Sequence, residues 1–529
     1  MAMVTERPEG YDRRWWILGV LCLSLLVIGL DNTILNVALP TLVRDLHAST
    51  SQLQWIVDAY TLVFAGLLLT AGSLSDRFGR RYALAFGLLI FGTGSVASAF
   101  AGSATMLIFT RAVMGIGGAL IMPSTLSILT NVFPAEERGR AIGIWAGVSG
   151  LGIGIGPVVG GWLLAHFWWG SVFLVNVPVV IFALIAGRLI VPNTKDPSAP
   201  RLDPVGAVLS IVGLTSLVYA VIEAPSHGWT DPMILAAFGL AALVLTTFVV
   251  WEVRSDHPML NIEFFKNPRF TAASISVTLV FFALFGSLFF LTQYLQFVLG
   301  YSALEAGVRV APIALVLIVV SPIAGRLVNR LGNKVLVVGG MAVVAVGLWF
   351  LSTITVTSGY PHVLGSLMIL GTGISLAMTP ATESIMGSLP LAKAGVGSAM
   401  NDTTRQIGGA LGVAVLGSVF ASAYTSTLAP VTQHLPATVA TQVDNSVGAA
   451  ISIGQQMGGA AGTALVSAAK ASFIHAMDVG LVVGAAVVLI GVVVALGWLP
   501  NRPKDAEEIE LHVDRRTGEL ATVVERVER

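Results

Sequence analysis

Apolar stretches long enough to cross a lipid bilayer recur along the whole chain, and this pattern limits the fold more than any other feature. A membrane-spanning helix needs about 20 mostly apolar residues, and the 529 residues divide into fourteen such stretches separated by charged, Pro-rich or Gly-rich breaks. Only 11% of the residues are charged, against about 25% in a soluble domain. A water-soluble fold is therefore nearly excluded, and we predict an all-α, multi-pass membrane protein. The fourteen helices are placed at residues 16–39, 53–74, 83–102, 106–129, 141–164, 172–191, 205–222, 233–251, 270–299, 307–328, 335–355, 363–384, 408–429 and 479–499.

The distribution of charge predicts the orientation in the membrane. Acidic and basic residues balance at 29 each, so the net charge predicts no attraction to nucleic acid. Cytoplasmic loops of membrane proteins hold an excess of Lys and Arg. With fourteen crossings and the N-terminus inside, 25 of the 29 basic residues lie on the cytoplasmic side or its border. We therefore expect an inner (plasma) membrane protein with both termini in the cytoplasm. The mixed charges of residues 500–529 predict a solvated tail, helical or disordered.

An internal repeat predicts two related halves. The segment 72–81, GSLSDRFGRR, has a weaker copy at 325–334, GRLVNRLGNK, 253 positions later. Parallel repeats about an axis along the membrane normal characterise one large transporter class. Six helices with short loops need roughly 180–200 residues, so an extra helix pair fits between the halves. The predicted units are a six-helix bundle at 1–191, a linker with two inserted helices at 192–269, a second six-helix bundle at 270–499, and the tail.

At these residues the chain resembles the major facilitator superfamily, and specifically its fourteen-helix branch of drug:proton antiporters, of the quaternary-ammonium and multidrug exporter type. The loop 72–84 matches the superfamily's hallmark pattern at every defined position. The resemblance implies a major facilitator fold and a conformational latch on the cytoplasmic side. The residues assigned to this latch are Gly72, Asp76, Arg77, Gly79, Arg80, Arg81 and Arg330. Because Asn329 stands where an acid is expected in the second copy, the latch is expected to be strongest in the first half.

Two further segments carry the same resemblance. Residues 30–40, LDNTILNVALP, resemble the first-helix signature of the fourteen-helix branch, and residues 152–161, GIGIGPVVGG, resemble its fifth-helix antiporter signature, which implies export. Small residues at four-residue spacing let another helix approach closely, and an internal proline adds a kink. We interpret this motif as a hinge and a tight contact that limits leak. Its residues are Gly152, Gly156, Pro157, Gly160 and Gly161.

Charged side chains inside predicted spans are the candidates for proton and substrate coupling. Asp31 lies near the middle of the first span, where an ionised carboxylate costs about 2.5–3.5 kcal/mol. Such an acid can hold either a proton or a cationic substrate, and this exclusion is a minimal antiport mechanism; the alternative is a polar residue bonded to a neighbouring helix. Asp58 in the second span either contributes cation preference or faces water at a helix N-terminus. Arg111 in the fourth span resembles the superfamily's fourth-helix signature, which implies a role in proton transfer or pairing with an acid or backbone carbonyls.

The remaining candidates lie in the second half and on aromatic side chains. Asp402, beside Arg405, and Glu383 are coupling candidates for which solvated positions at helix ends are an equal alternative. Aromatic faces attract organic cations, so a substrate pocket is predicted from Trp55, Tyr60, Phe285 and Phe289. For the phenylalanines of the ninth span, a packing or lipid-facing stripe is the alternative interpretation.

Several classes of function lack support in the sequence. No Walker-type phosphate loop is present, the eight histidines show no metal-ligand spacing, and no nucleophile motif indicates an enzyme. We therefore expect no cofactor and no metal, with the proton gradient as the driving force. The predicted function is proton-coupled export of amphipathic, cationic drugs or toxic compounds by a monomer that meets substrate, protons and membrane lipid but no nucleic acid. The alternatives are an exporter of an endogenous lipid, siderophore or antibiotic, and a transport-inactive receptor or scaffold.

Overall fold

The computed structural model describes residues 10–195, 203–258, 260, 262–388, 394–500, 511–513 and 520–522. These residues are almost entirely helical. The helices are α1 Arg14–Leu46, α2 Thr50–Phe78, α3 Arg80–Ala99, α4 Ala104–Val132, α5 Ala135–His166, α6 Ser171–Leu174, α7 Asn176–Ile190, α8 Pro204–His227, α9 Pro232–Arg254, α10 Pro268–Gln293, α11 Ala303–Val310, α12 Pro312–Leu331, α13 Asn333–Ser352, α14 Tyr360–Met386, α15 Ala394–Thr432, α16 Ala437–Asn445, α17 Val447–Met457 and α18 Gly459–Trp498. A π-helical segment, Tyr294–Val298, continues α10.

Each predicted apolar stretch coincides with one helix or with two consecutive helices. In the described part of the chain, twelve helical segments are long and apolar enough to cross a membrane. The helices α2 and α5 are not among these twelve, so the number fourteen stays a prediction. The all-α, multi-pass architecture itself is confirmed.

Matching helix starts show that the repeat extends beyond the loop motif. Ser49 caps α2, where its hydroxyl accepts from the backbone N–H of Gln52 and the Gln52 side chain accepts from the backbone N–H of Ser49. Ser302 caps α11 in the same reciprocal way with Glu305. Such capping boxes satisfy N–H groups that a helix start leaves unpaired. Both pairs are 253 positions apart, the offset of the loop motif.

The two halves meet along two seams, one between α2 and α15 and the other between α5 and the α11–α12 pair. We call the end of the bundle at which α1 begins the proximal end, and the end at which α1 finishes the distal end. At the proximal end, Arg14 of α1 forms a two-point ion pair with Glu137 of α5, with N···O distances of 2.7 and 3.1 Å. This contact lies within the first half.

The inserted pair, α8 and α9, packs as a hairpin against one flank of the molecule. Its helix α8 contacts both α2 and α15 and so covers the first seam. The contact is a small apolar cluster of Leu62, Val218, Ile222, Ala410 and Ala414. At its distal end, Glu223 of α8 accepts hydrogen bonds from the Ser51 hydroxyl (2.8 Å) and the Trp55 indole N–H (3.1 Å). The insert therefore touches both halves.

The segment between the last two long helices, which lies outside the predicted spans, is helical. Helix α18 begins at Gly459, twenty residues before the predicted start of the last span. The short helices α16 and α17, which we call the distal cap (Ala437–Met457), lie over the distal end. The Thr50 hydroxyl donates to the Asn445 carbonyl at 2.8 Å, and Gly448 packs against Val43 of α1 and Phe297 of the π-helical segment. The cap thus contacts both halves.

The tail differs from the helical or disordered segment expected from its charges. Leu511–Val513 (β1) and Leu520–Thr522 (β2) pair as two short antiparallel strands. Both strands contain β-branched residues, which favour an extended chain. The other tail residues, 501–510, 514–519 and 523–529, lie outside the described part of the chain.

Candidate functional site

A buried ion pair lies in the core of the first half. Nη1 of Arg111 on α4 donates a hydrogen bond to the carboxylate of Asp31 on α1 and forms an ion pair with it. Asp31 is 0% exposed and Arg111 is 1% exposed. The Nε of Arg111 donates to the carbonyl of Ile56 on α2 at 3.1 Å. The guanidinium lies over the ring of Tyr60, 4.4 Å from its centroid, as cations do on aromatic faces. Two helices and an aromatic ring therefore share the charge of Arg111, which has both kinds of partner that the sequence left open.

The pair extends into a polar network that the sequence analysis missed. The side-chain amide of Asn176, the first residue of α7, lies 3.2 Å from Oδ1 of Asp31 and 3.2 Å from the hydroxyl of Ser95 on α3. Both residues are buried. The only signal in the sequence is a polar residue inside an apolar stretch. Asn176 donates to the carboxylate oxygen of Asp31 that Arg111 does not contact, so both oxygens of this acid have partners.

Asp58 lies in the third turn of α2 and is completely buried, not facing water at the helix start. Among the described residues, neither of its carboxylate oxygens has a hydrogen-bond partner. An ionised carboxylate without partners is very costly in an apolar interior. Asp58 is therefore a buried acid for which the described structure provides no compensating hydrogen bond.

A small cavity lies between the two halves, on the proximal side of their hydrogen-bonded contacts. It encloses about 70 Å³. Helices α1 and α4 line it from the first half, and α10 and α15 line it from the second. The lining residues are Leu25, Ile28, Gly29, Asn32, Thr33, Met122, Phe281, Phe285, Asp402, Arg405 and Gln406. The cavity thus joins an acid, a base and two aromatic rings, and Asn32 connects its wall to the neighbouring Asp31.

The predicted pocket and coupling residues divide between the cavity and other places. Phe285 and Asp402 line the cavity. Phe289 is fully buried against Phe290, with ring centroids 5.7 Å apart, and Glu383 is exposed on α14. These two residues are not among those that line the cavity.

The other two residues predicted for the substrate pocket, Trp55 and Tyr60, are also not among those that line the cavity. Tyr60 is buried beneath Arg111. Trp55 faces the insert, where its ring lies 6.2 Å from that of Tyr219. Trp55 therefore belongs to the contact between α2 and α8, and Tyr60 to the charged core of the first half.

The glycines of the antiporter motif bring α5 against two partners. A Cβ atom on Gly152 would lie 2.9 Å from the backbone of Gly29, and one on Gly156 would collide with the Thr33 hydroxyl, so these glycines and Gly160 let α1 approach. The Thr33 hydroxyl also donates to the Gly152 carbonyl at 3.1 Å.

The other face of the motif meets the second half. A Cβ atom on Gly161 would lie 2.5 Å from Cα of Leu304 on α11, and one on Gly307 would collide with the carbonyl of Pro157. The motif is therefore a close backbone contact across the seam between the halves.

The loop motif is held by the segment that leaves α7. Gly79 adopts φ +117°, and a Cβ atom there would lie 2.6 Å from Oδ1 of Asn193. The backbone N–H of Arg80 donates to the Thr194 carbonyl at 3.1 Å, and Nη1 of Arg81 donates to the Val191 carbonyl at 3.4 Å. The linker after the first half thus packs on this loop.

The other latch residues show fewer contacts. A Cβ atom on Gly72 would lie 3.6 Å from Cβ of Pro123, which is an ordinary packing distance. Arg77 and Arg330 are exposed. The side chain of Asp76 lies outside the described part of the structure, so its predicted pairing stays a prediction.

Two glutamines, which the sequence did not single out, bridge the halves at their distal side. Nε2 of Gln54 on α2 donates to the carbonyls of Val413 and Ala414 on α15, at 3.2 and 3.0 Å. Nε2 of Gln296 after α10 donates to the carbonyl of Val37 on α1 at 3.0 Å. Each half therefore supplies one side-chain donor to the backbone of the other.

The potential metal ligands of the chain are dispersed. Among the residues that the structure describes, no three His, Cys, Asp or Glu side chains gather in an arrangement able to hold a metal ion. The polar chemistry of the site therefore rests on the ion pair, the buried acid and the cavity lining.

Comparison with known families decides the class of protein. The profile of the Major Facilitator Superfamily matches residues 21–413, which include the Asp31–Arg111 pair, the loop motif and the antiporter motif. The chain belongs to the major facilitator superfamily. It is a multi-pass membrane transporter of this superfamily rather than an enzyme.

Similar proteins cover nearly the whole chain. The multidrug efflux pump LfrA of Mycolicibacterium smegmatis is 37% identical over 90% of this chain and 94% of its own length. The tetracenomycin C resistance and export protein of Streptomyces glaucescens is 35% identical over 96% of this chain and 95% of its own. The methyl viologen resistance protein SmvA of Salmonella typhimurium is 32% identical over 89% and 95%.

Solved structures support the fold. A bacterial homolog to the human lysosomal transporter Spinster, in an inward-facing and unoccupied conformation, superposes with a TM-score of 0.63 at 19% identity, covering 92% of this chain and 98% of that one. The xylose transporter XylE from E. coli, in its inward open conformation, superposes with a TM-score of 0.53 at 17% identity, covering 77% and 90%. The major facilitator fold is thereby confirmed.

Proposed function

We propose that this transporter exports amphipathic, cationic compounds in exchange for protons, by alternating access of its two halves. The observation that carries the proposal is the cavity between the halves, where Asp402, Phe281 and Phe285 face a space one residue away from the Asp31–Arg111 pair. A carboxylate and aromatic faces together suit an organic cation. Neither a lipid tail nor an uncharged solute needs an acid there.

The names of the relatives support the same choice. They describe a multidrug efflux pump, an export protein for tetracenomycin C and a resistance protein for methyl viologen. Methyl viologen is itself a permanent organic cation. Export of drugs and toxic cations is therefore preferred to a transport-inactive receptor.

The two buried acids have different roles in this proposal. Asp31 is held by Arg111 and Asn176, and it carries the transported proton when Arg111 moves away. Asp58 has no partner in the described structure, and it serves as a second proton carrier. Burial disfavours a lone ionised carboxylate and a nearby cation favours it, so movement of Arg111 relative to Asp31 decides when Asp31 binds or releases its proton.

We infer the arrangement in the membrane from the basic residues. In this arrangement the proximal end and both termini are cytoplasmic, the distal end is external, and the protein lies in the plasma membrane. The halves comprise residues 1–191 and 270–499, with the insert at 192–269 and a tail at 500–529. Since Gln54, Gln296 and Gly161 join the halves at the distal side, this conformation is closed toward the outside.

Everted vesicles test the proposed function. The protein is expressed in a host that lacks its own exporters, and uptake of the fluorescent cation ethidium is followed after energisation. The intact transporter accumulates ethidium and stops when a protonophore removes the proton gradient. Asp31→Asn is expected to abolish this uptake, and undiminished uptake by Asp31→Asn rules out the proposed role of the acid.

The number of protons is tested separately. If Asp31 and Asp58 each carry one proton inward for one monovalent cation moved outward, each cycle moves one net charge. A membrane potential then adds about 2.3 kcal/mol per 100 mV to the driving force. With the pH gradient collapsed in proteoliposomes, transporter-dependent export of ethidium, measured as the difference from protein-free liposomes, should respond to an imposed potential. The absence of any response rejects this stoichiometry.

A further inference from the structure

The cavity between the halves is too small for the compounds it is proposed to bind. Its volume of about 70 Å³ is the room of roughly two water molecules, whereas sites for drug-sized ligands measure about 300–1,000 Å³. Something in the lining must therefore move before a substrate enters. This inference rests on the proposed function and concerns what occupies the site when no substrate is present.

Arg405 is the long, charged side chain in this lining. Its Nη1 lies 3.8 Å from Oδ1 of Asp402, one turn earlier on α15. Its Cζ lies 5.5 Å from the ring centroid of Phe281 on α10. The side chain of Asp402 is 8% exposed and that of Arg405 is 30% exposed. Arg405 thus places a permanent cation between a carboxylate and an aromatic face.

Arg405 can also pair with the side chain of Asn401. With the amide of Asn401 turned so that its oxygen faces the guanidinium, that oxygen accepts from Nη2 and Nε at 3.1 and 3.3 Å. The contact with Asp402 is longer, at 3.8 Å, beyond the usual range of a hydrogen bond. A guanidinium that keeps its partner at Asn401 can leave Asp402 without becoming an unpaired buried charge, which would be costly.

We propose that Arg405 is a built-in competitor that occupies the cation subsite of the empty cavity, and that a cationic substrate displaces it from Asp402 and Phe281. The carboxylate and the ring that hold the guanidinium are the two groups that an organic cation requires. An uncharged amphipathic compound gains nothing from replacing Arg405 at Asp402. Arg405 therefore determines specificity, because it makes entry depend on the charge of the substrate.

Binding to the purified, full-length transporter tests this role. The variant Arg405→Gln removes the competing charge and keeps a hydrogen-bonding side chain. It is expected to bind tetraphenylphosphonium about fivefold more tightly than the unmodified protein, as befits removal of one partly exposed ion pair. The matched control Arg405→Lys keeps the charge and should bind this probe within twofold of the unmodified protein. The uncharged probe Nile red should bind Arg405→Gln and the unmodified protein equally.

The role of Asp402 is tested by a double-mutant cycle. In an Asp402→Asn background, Arg405→Gln should change tetraphenylphosphonium binding by less than twofold, because the acid that both cations need is gone. A second variant, Arg405→Met, keeps a flexible, unbranched side chain without charge and should give the same tightening as Arg405→Gln. The conclusion then does not depend on one variant folding, and size-exclusion profiles identify any variant that does not fold.

The opposing outcomes are distinct. Weaker or unchanged binding of tetraphenylphosphonium by both Arg405→Gln and Arg405→Met overturns the competitor role. Equal tightening of tetraphenylphosphonium and Nile red overturns it too, because extra space rather than charge would then explain the gain. If the unmodified protein neither binds nor transports any organic cation, the proposed function itself fails. If it transports them and the Arg405 variants do not bind them more tightly, only the present inference fails.

Discussion

Asp31 and Arg111, eighty residues apart in the chain, form an ion pair that is closed off from the cavity although the residue after Asp31 lines it. In this conformation the acid that the sequence marks most strongly does not itself line the cavity. We propose that coupling between proton and substrate passes through movement of α1 relative to α4.

Replacing Asp31 by Asn should lower both transport and stability, for different reasons. Asn cannot carry the proton, so ethidium uptake is lost. It also leaves Arg111 buried without its charged partner, a change that costs about 3–5 kcal/mol. The double variant Asp31→Asn/Arg111→Gln removes both charges and should regain most of the lost thermal stability without regaining transport. Melting of the purified proteins and vesicle uptake separate the two effects. Recovery of transport in the double variant would contradict the prediction.

The second prediction concerns the close approach of α1 and α5. A Cβ atom on Gly156 collides with the Thr33 hydroxyl, so Gly156→Ala should destabilise the first half by about 1–3 kcal/mol, as overpacking does in other cores. Gly187→Ala on α7 is the control, because a Cβ atom there meets nothing within 4 Å. Thermal unfolding in detergent measures both. Equal melting temperatures for the two variants would contradict the prediction, because a methyl group at the contact between α1 and α5 would then cost no stability.

The third prediction concerns the glutamine bridge at the distal side. Gln54→Leu keeps the size of the side chain but removes both hydrogen bonds to α15. A hydrogen bond contributes about 0.5–1.5 kcal/mol net. Losing about 1 kcal/mol of this contact should raise the fraction of molecules with an open distal side about fivefold. The measurement is disulfide formation between cysteines placed at Thr50 and Asn445, whose atoms are in contact here, after replacing the single native Cys22 by Ser.

In this assay Gln54→Leu should form the crosslink more slowly than the parent. Gln296→Leu removes the hydrogen bond that the second half donates to the carbonyl of Val37, and this variant should also slow the crosslink. An unchanged or faster rate in both variants would show that the glutamines do not hold the distal side closed.

The fourth prediction separates backbone strain from contact at the loop motif. Gly79 has a positive φ, and a side chain there also meets Asn193. Gly300 has a positive φ of 74° but open space around it. Since a positive φ costs roughly 1–2 kcal/mol for other residues, Gly300→Ala should show that cost alone and Gly79→Ala should show more. Adding Asn193→Ala should restore part of the stability of Gly79→Ala and none of that of Gly300→Ala. Chemical denaturation of these variants and the parent provides the comparison.

Much of the fold follows from local patterns in the sequence. Apolar stretches placed the long helices, and the 253-residue offset of the loop motif predicted related halves. The structure extends that offset to the capping boxes at Ser49 and Ser302 and to the positive φ of Gly79 and Gly332. These features depend on neighbours a few residues away, which a sequence displays directly. The early start of α18 at Gly459 was missed, because small, weakly apolar residues form helix without the hydropathy of a membrane span.

The candidate site was predictable only in part. Asp31, Arg111 and Asp402 are visible because a charge in an apolar stretch is costly and therefore conspicuous. Their partners are not: Asn176 is 145 residues from Asp31, and Gln54 is 359 residues from Val413. A neutral amide costs much less to bury in an apolar stretch than a charge does, so the sequence does not single it out. Its partners become visible only when the helices are packed together. Trp55 was predicted to line the substrate pocket, but its indole N–H donates to Glu223 of the insert, 168 residues away in the chain.

The position of α8 across the seam between α2 and α15 gives the molecule two unlike flanks. The repeat makes the halves alike, yet on one side the bilayer meets the inserted hairpin, and on the other it meets α5 and α12. In the proposed alternating access, we expect α8 to stay packed against one half and to slide along the other. We therefore expect the insert to cover a seam whose two sides move during transport, and lipid molecules beside the inserted hairpin to be displaced differently from those beside α5 and α12.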